Sequence, residues 1–236
     1  MNTNQLARAL AVALTLISFA TDERFASFAA STPITVKELN PEYAFQFTNN
    51  TVAVGQASYV FVGKVIRNAG MIPNAVGAMP ASKFEVEVLE NIKGDTKGVV
   101  IVHQLGGITN GVYYRVASFN KDPDSSGLLA VGATYMLAIQ ELDKHGYLLS
   151  SHWNQRTVIT TNTALARGDV LRLAQPRIAE MLDAYIHEGT STPLSRTGSK
   201  PTKGQTYSSL SPEQRQAVAD KLALVKAAIE KVPTSP

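Results

Sequence analysis

Between Gln56 and about Thr160 the apolar residues of this chain come in short runs, cut by glycine, proline and polar turns before any run reaches helix length. Ala57–Ile66 (ASYVFVGKVI) is rich in β-branched and aromatic residues and holds one glycine, Gly63, where a bulge or bend is expected. Phe84, Val86 and Val88 alternate with Glu85 and Glu87, the period of two that marks a half-buried strand. Lys93-Gly94-Asp95 reads as a turn, Val99–Gln104 as a strand that Gly106-Gly107 breaks, and Val112–Val116 as its resumption. Thr134–Gln140, Tyr147–Ser150 and Thr157–Thr161 follow. Met71–Pro80, with two prolines and a glycine, reads as a loop, and so does Asn120–Gly127. Many short strands in so compact a stretch predict an antiparallel barrel or sandwich.

Outside that stretch the pattern changes. Residues Ser31 to Gln46 read as an extended lead-in, with Pro33 and Pro41 opposing helix. Ile178, Met181, Leu182, Tyr185 and Ile186 follow the i, i+3, i+4, i+7, i+8 spacing of an amphipathic helix, with Pro176 near its expected start and Gly189 past its end. Such a helix packs on its own domain. Residues 190–209 are rich in Ser, Thr, Gly and Pro and read as a flexible linker. A last helix is expected to begin at Ser211 as N-cap, with Pro212 at N1 and Gln214 completing a capping box. Its apolar positions Val218, Leu222, Val225 and Ile229 make one narrow stripe. Such a helix is marginal alone, so it docks back, pairs with another copy or meets a partner. Leu222, Val225 and Ile229 are therefore candidate partner-binding residues.

The N-terminus resembles an export signal. Met1–Arg8 is polar with one charge, and Ala9–Ala20 gives twelve uncharged residues. That is within the signal-core range of about 7–15 and short of the roughly 20 that cross a bilayer. Ser18-Phe19-Ala20 offers small residues for cleavage, and Ser27-Phe28-Ala29 a second site, so the mature chain would begin near Thr21 or Ala30. The competing reading is a buried N-terminal helix. No other segment is long and apolar enough to span a membrane. The domain reading is thus a signal peptide over 1–20, a β-barrel domain over 31–160, a packed helix over 161–189, a linker over 190–209 and a terminal helix over 210–232. Extracellular or cell-envelope residence follows from the signal.

Composition removes several chemistries. The sequence has no cysteine, which excludes disulfides, thiolate metal sites and cysteine nucleophiles. Lys and Arg number 22 against 19 Asp and Glu, for a formal charge of +3, with no basic run to track a phosphate backbone. Nucleic acid is accordingly not an expected partner.

The strand region resembles a family of secreted bacterial proteins with a netrin/TIMP-like, OB-type β-barrel. The matching pieces are Tyr59-Val60-Phe61-Val62-Gly63-Lys64-Val65, Phe84–Glu90 with Ile92-Lys93-Gly94-Asp95, Val99–Val102 before Gly106-Gly107, Val131–Leu137, and Gly146-Tyr147-Leu148. They fall within about residues 56–150, under half of the 236. The resemblance implies a fold more than an activity. Animal inhibitors of this fold chelate a protease zinc through an N-terminal cysteine, and a cysteine-free chain cannot do so.

The remaining candidates each have a plainer alternative. Asp122, Asp124 and Ser126, with Gly127 next, resemble the opening of a calcium loop, yet the twelfth position is Ala133 rather than glutamate, which favours an ordinary turn. No cofactor is otherwise expected. The histidines His103, His145, His152 and His187 show no helical zinc spacing. Trp153, the only tryptophan, stands beside His152, and the two are candidate partner-binding residues; the plainer alternatives are core packing for Trp153 and a surface histidine at a hairpin for His152. Arg167-Gly168-Asp169 matches the tripeptide read by animal integrins, a match that chance also supplies. No nucleophile elbow or phosphate loop is present. The expected function is a non-catalytic exported interaction module that binds a protein or itself. The alternatives are a netrin-like inhibitor working through Met71–Pro80 and Gly106–Gly111, and a hydrolase using His145 or His152.

Overall fold

A computed structural model of the chain describes residues 35–39, 49–76, 79–116, 127–141, 147–149, 156–188 and 205–231. The segment read as a signal peptide lies outside them. The elements run β1 (Thr35–Leu39), α1 (Asn50–Gln56), β2 (Tyr59–Val76), β3 (Met79–Lys93), β4 (Val99–Leu105), β5 (Gly107–Thr109), β6 (Val112–Val116), β7 (Thr134–Glu141), β8 (Tyr147–Leu149), β9 (Arg156–Thr160), α2 (Arg167–Ile186), a 3-10 turn at Tyr207–Ser209 and α3 (Pro212–Glu230). The fold is mainly β, with two sheets.

The larger sheet has the order β2-β3-β4-β8-β7-β9, and β2 pairs with β7 as well. Its ladders are antiparallel apart from the parallel β4–β8 pair, where Val102, His103 and Gln104 face Tyr147, Leu148 and Leu149. Both faces of the central strands are buried. Phe61, Val65, Phe84, Val86, Val102, Leu137 and Ile139 form one cluster, closed over by Leu129. Their neighbours Val60, Val62, Leu89, Met136 and Ala138 join a second cluster under the helices, with Val170, Ala174, Ile178, Met181, Leu182 and Tyr185. Two-sided burial explains why YVFV reads as a continuous apolar run rather than a clean alternation. Gly63 sits at a register shift of the β2–β3 ladder, as its position predicts.

The structure corrects several expectations. Met71–Pro80 is not a free loop, since β2 runs to Val76 and β3 starts at Met79, so the two form one long hairpin. Pro73 is tolerated there because the ladder is irregular between Ile72 and Val76, and β2 pairs with β7 only through Lys64. Helix α2 begins at Arg167, well before Pro176, which lies inside it on an exposed position. There the hydrogen bond that proline removes leaves a carbonyl for water. Arg167-Gly168-Asp169 therefore forms the first turn of a helix, with Arg167 donating to the Leu89 carbonyl at 2.6 Å. The short helix α1 was not read from sequence; Asn49 caps it by accepting from the Val52 amide at 2.9 Å.

The C-terminal helix follows its capping signal, with Ser211 and Gln214 bonded reciprocally. Its stripe is used inside the chain. Leu222 is buried in the helical cluster, and Val218, Val225 and Ile229 pack half-buried around it. Leu222, Val225 and Ile229 thus pack against the helical cluster of their own chain. Docking begins upstream of the expected linker boundary, because the Gln205 carbonyl and the Tyr207 amide are already bonded to Tyr185 and Glu188.

Candidate interaction surface

The smaller sheet stands apart from this core. It has the order β1-β6-β5, with β1 and β6 parallel and β5 and β6 antiparallel. The β5–β6 hairpin turns through Asn110 and Gly111, both at positive φ (50° and 73°), the pairing that the tightest two-residue turn selects. Register then decides which side chains share a face. Val36 and Ile108 both lie opposite Tyr113, so the three form one row across the sheet. Two positions along, Glu38 lies opposite Arg115, and their side chains form an ion pair beside the row.

The other face turns toward the long hairpin. Gly107 lies on it, opposite Tyr114. A β-carbon there would meet Ser82 Oγ at 2.3 Å and Met71 Cε at 3.0 Å. Only a glycine permits that approach, and its φ of 135° is one that side chains rarely adopt. Ser82 in turn donates to the Gly106 carbonyl at 3.0 Å. Lys37 lies on this same face, 5.7 Å from the centre of the Tyr114 ring.

The Val36–Tyr113–Ile108 face is therefore directed away from the core, and Val36 and Ile108 are 54% and 53% exposed. The face thus carries two exposed apolar side chains about the half-buried Tyr113, with an ion pair beside them.

The polar groups elsewhere have structural employment. Gln104, buried in β4, donates to the Gly127 carbonyl at 2.8 Å and accepts from the Leu129 amide at 2.8 Å. Arg156 donates to the same carbonyl at 2.6 Å, so two strands pin one turn against the open end of the apolar cluster. Lys93 Nζ, fully buried, contacts Glu188 at 3.1 Å and donates to the Val54 carbonyl at 2.8 Å. Glu188 also accepts from the Tyr207 amide. The Tyr185 hydroxyl donates to the Gln205 carbonyl at 3.1 Å, and burial, with Glu188 adding to it, holds its proton well above the usual tyrosine range.

Of the residues singled out from sequence, His103 is buried in β4, and His187 is exposed near Asp183 at the end of α2. Trp153, His152, His145, Asp122, Asp124 and Ser126 lie outside the described residues. Among the described residues no three His, Asp or Glu converge as a metal-holding group, and no helix is long and apolar enough to cross a membrane. Val36, Tyr113 and Ile108 were not singled out, although Asn110-Gly111 before two tyrosines was a signal for a hairpin carrying aromatic residues. No family model, curated protein or solved structure matches the chain.

Proposed function

We propose that this chain is an exported, non-catalytic binding module built on an OB-type barrel of the netrin/TIMP-like kind, engaging a protein partner through the Val36–Tyr113–Ile108 face. The barrel assignment draws support from the pairings β2–β3, β3–β4, β4–β8, β8–β7 and β7–β2, which return to the starting strand with one parallel step. A five-stranded OB barrel closes through such a series. The single observation that carries the binding role is the apolar row on the outward face of the smaller sheet, with Val36 and Ile108 exposed on either side of the half-buried Tyr113. Export draws support from the uncharged Ala9–Ala20 segment and the small residues that follow.

The test is a pair of proteins, the native sequence and a Val36→Asp/Ile108→Asp variant, each used to recover partners from the medium and envelope fractions of the native host. A partner held by the first and lost by the second, at equal thermal stability, supports the assignment. An identical profile from both overturns the proposed face. Mass spectrometry of the native protein tests export: a chain beginning near Thr21 or Ala30 outside the cytosol is expected, and an intact Met1 in the cytosol would remove the exported half of the proposal.

A further inference from the structure

The groove that receives residues 205–231 is built for one kind of occupant. Its floor is the apolar face of α2, including Ile178, Leu182 and Tyr185. Two carboxylates flank it, Glu90 at the end of β3 and Asp183 on α2, and α3 brings Lys221 to the first and Lys226 to the second. At one end Glu188 receives the Tyr207 amide, and the Tyr185 and Tyr207 rings meet edge to face at 5.7 Å. An occupant must offer an apolar stripe, two lysines in register with it and a backbone amide at the right end. The tail of this chain is the segment that does.

The attachment is also uneven. Among the described residues of α3 only Leu222 is buried; the Lys221–Glu90 pair is part-buried at 34% and 34% side-chain exposure, and the Lys226–Asp183 pair is exposed at 55% and 50%. Exposed ion pairs of this kind hold weakly. The buried hold is Leu222 together with the Lys93–Glu188–Tyr207 node. A tail fastened at two buried points opens as a unit more readily than the sheet beneath it. Residues 189–204, which join it to α2, are rich in Ser, Thr, Gly and Pro.

We infer that the groove's second partner is another copy of this chain, seated by reciprocal exchange of the 205–231 tails. Each exchanged tail re-forms the same node, stripe and lysine pairs, so exchange sacrifices no contact and produces a closed two-fold dimer. The inference is independent of the smaller sheet, and each can fail without the other.

The absence of native cysteine makes a clean test. One population carries Asp183→Cys and the other Lys226→Cys; the two are mixed at high concentration, incubated and treated with a short flexible bismaleimide. The expected product is a two-chain species whose linked peptides join positions 183 and 226, with a yield that rises with protein concentration. Adding Glu188→Gln to both populations should speed its appearance several-fold. The double variant Asp183→Cys/Lys226→Cys, dilute and alone, should link within one chain. Internal linking without any 183–226 product between chains overturns exchange. Failure of the internal link overturns the docking from which exchange is argued.

Discussion

Lys93 Nζ lies 3.1 Å from Glu188 Oε2, across 95 positions of sequence, and the two side chains are 0% and 3% exposed. The ammonium also sits 5.3 Å from the Tyr185 ring centre and donates to the Val54 carbonyl, so β3, α1 and the end of α2 meet at one charge pair. A pair this dry gains little net stability over apolar residues, but breaking it leaves a charge in a medium that cannot solvate it. Lys93→Met should therefore cost about 3–5 kcal/mol. The double variant Lys93→Met/Glu188→Leu should recover much of that loss. Urea unfolding of the native, single and double proteins measures both, and a double variant no better than the single one would show that the carboxylate was not the source of the cost.

Gly63 is held by its neighbours as well as by its bend. A β-carbon there would come within 2.5 Å of Val86 Cγ1 and 2.9 Å of Phe61 Cε2, both deep in the sheet's apolar cluster. Gly63→Ala is expected to destabilise by about 1–3 kcal/mol through overpacking. A denaturation midpoint equal to that of the native protein would mean that the cluster yields more easily than its packing implies.

Leu222→Ala removes the one buried side chain of α3. Core truncations of leucine cost about 2–5 kcal/mol where the site cannot collapse. Here the loss should appear locally first, as faster hydrogen exchange over 212–230 while amides of β2, β3 and β7 stay protected. Uniform acceleration across the sheet would mean that tail and sheet open together.

Tyr185 sets an alkaline limit. Its folded proton affinity is raised by burial first and Glu188 second, while an unfolded tyrosine titrates near the ordinary value of about 10. Below that value the folded and unfolded states both keep the proton, and the full stability is present. Above it the unfolded state loses the proton first, so stability falls as pH rises toward the folded value. Tyr185→Phe should lose about 1 kcal/mol at neutral pH with its bond to the Gln205 carbonyl, and should show a shallower decline above about pH 10. Parallel slopes for the two proteins would place the alkaline sensitivity elsewhere.

The strands were legible where burial is periodic or continuous. Phe84, Val86 and Val88 alternate with Glu85 and Glu87, and YVFV is apolar on both faces because the structure buries both. The capping box at Ser211 was legible because it is entirely local. What sequence concealed depends on distant partners or on a misleading local cue. Lys93 reads as a turn residue because the carboxylate that permits its burial comes from beyond α2. Pro176 reads as a helix start because interior proline is costly, and an exposed position within α2 reduces that cost. The candidate surface was hidden for the same reason as Lys93: Val36, Tyr113 and Ile108 form a row only once a parallel ladder joins Thr35–Leu39 to Val112–Val116.

That parallel ladder constrains the order of events during synthesis. A ribosome delivers β1 long before β6 exists, so the first strand leaves the exit tunnel with no edge to join. The same delay applies to Tyr59, whose partner on β7 is Ile139, and to Lys93, which waits for Glu188. Non-local closures of this kind are slow, and they leave unpaired edges open to stray association in the meantime. The β2–β3, β3–β4 and β5–β6 ladders can form as their strands emerge, but the larger sheet cannot join β2 to β7, nor Lys93 its carboxylate, until much of the chain has followed.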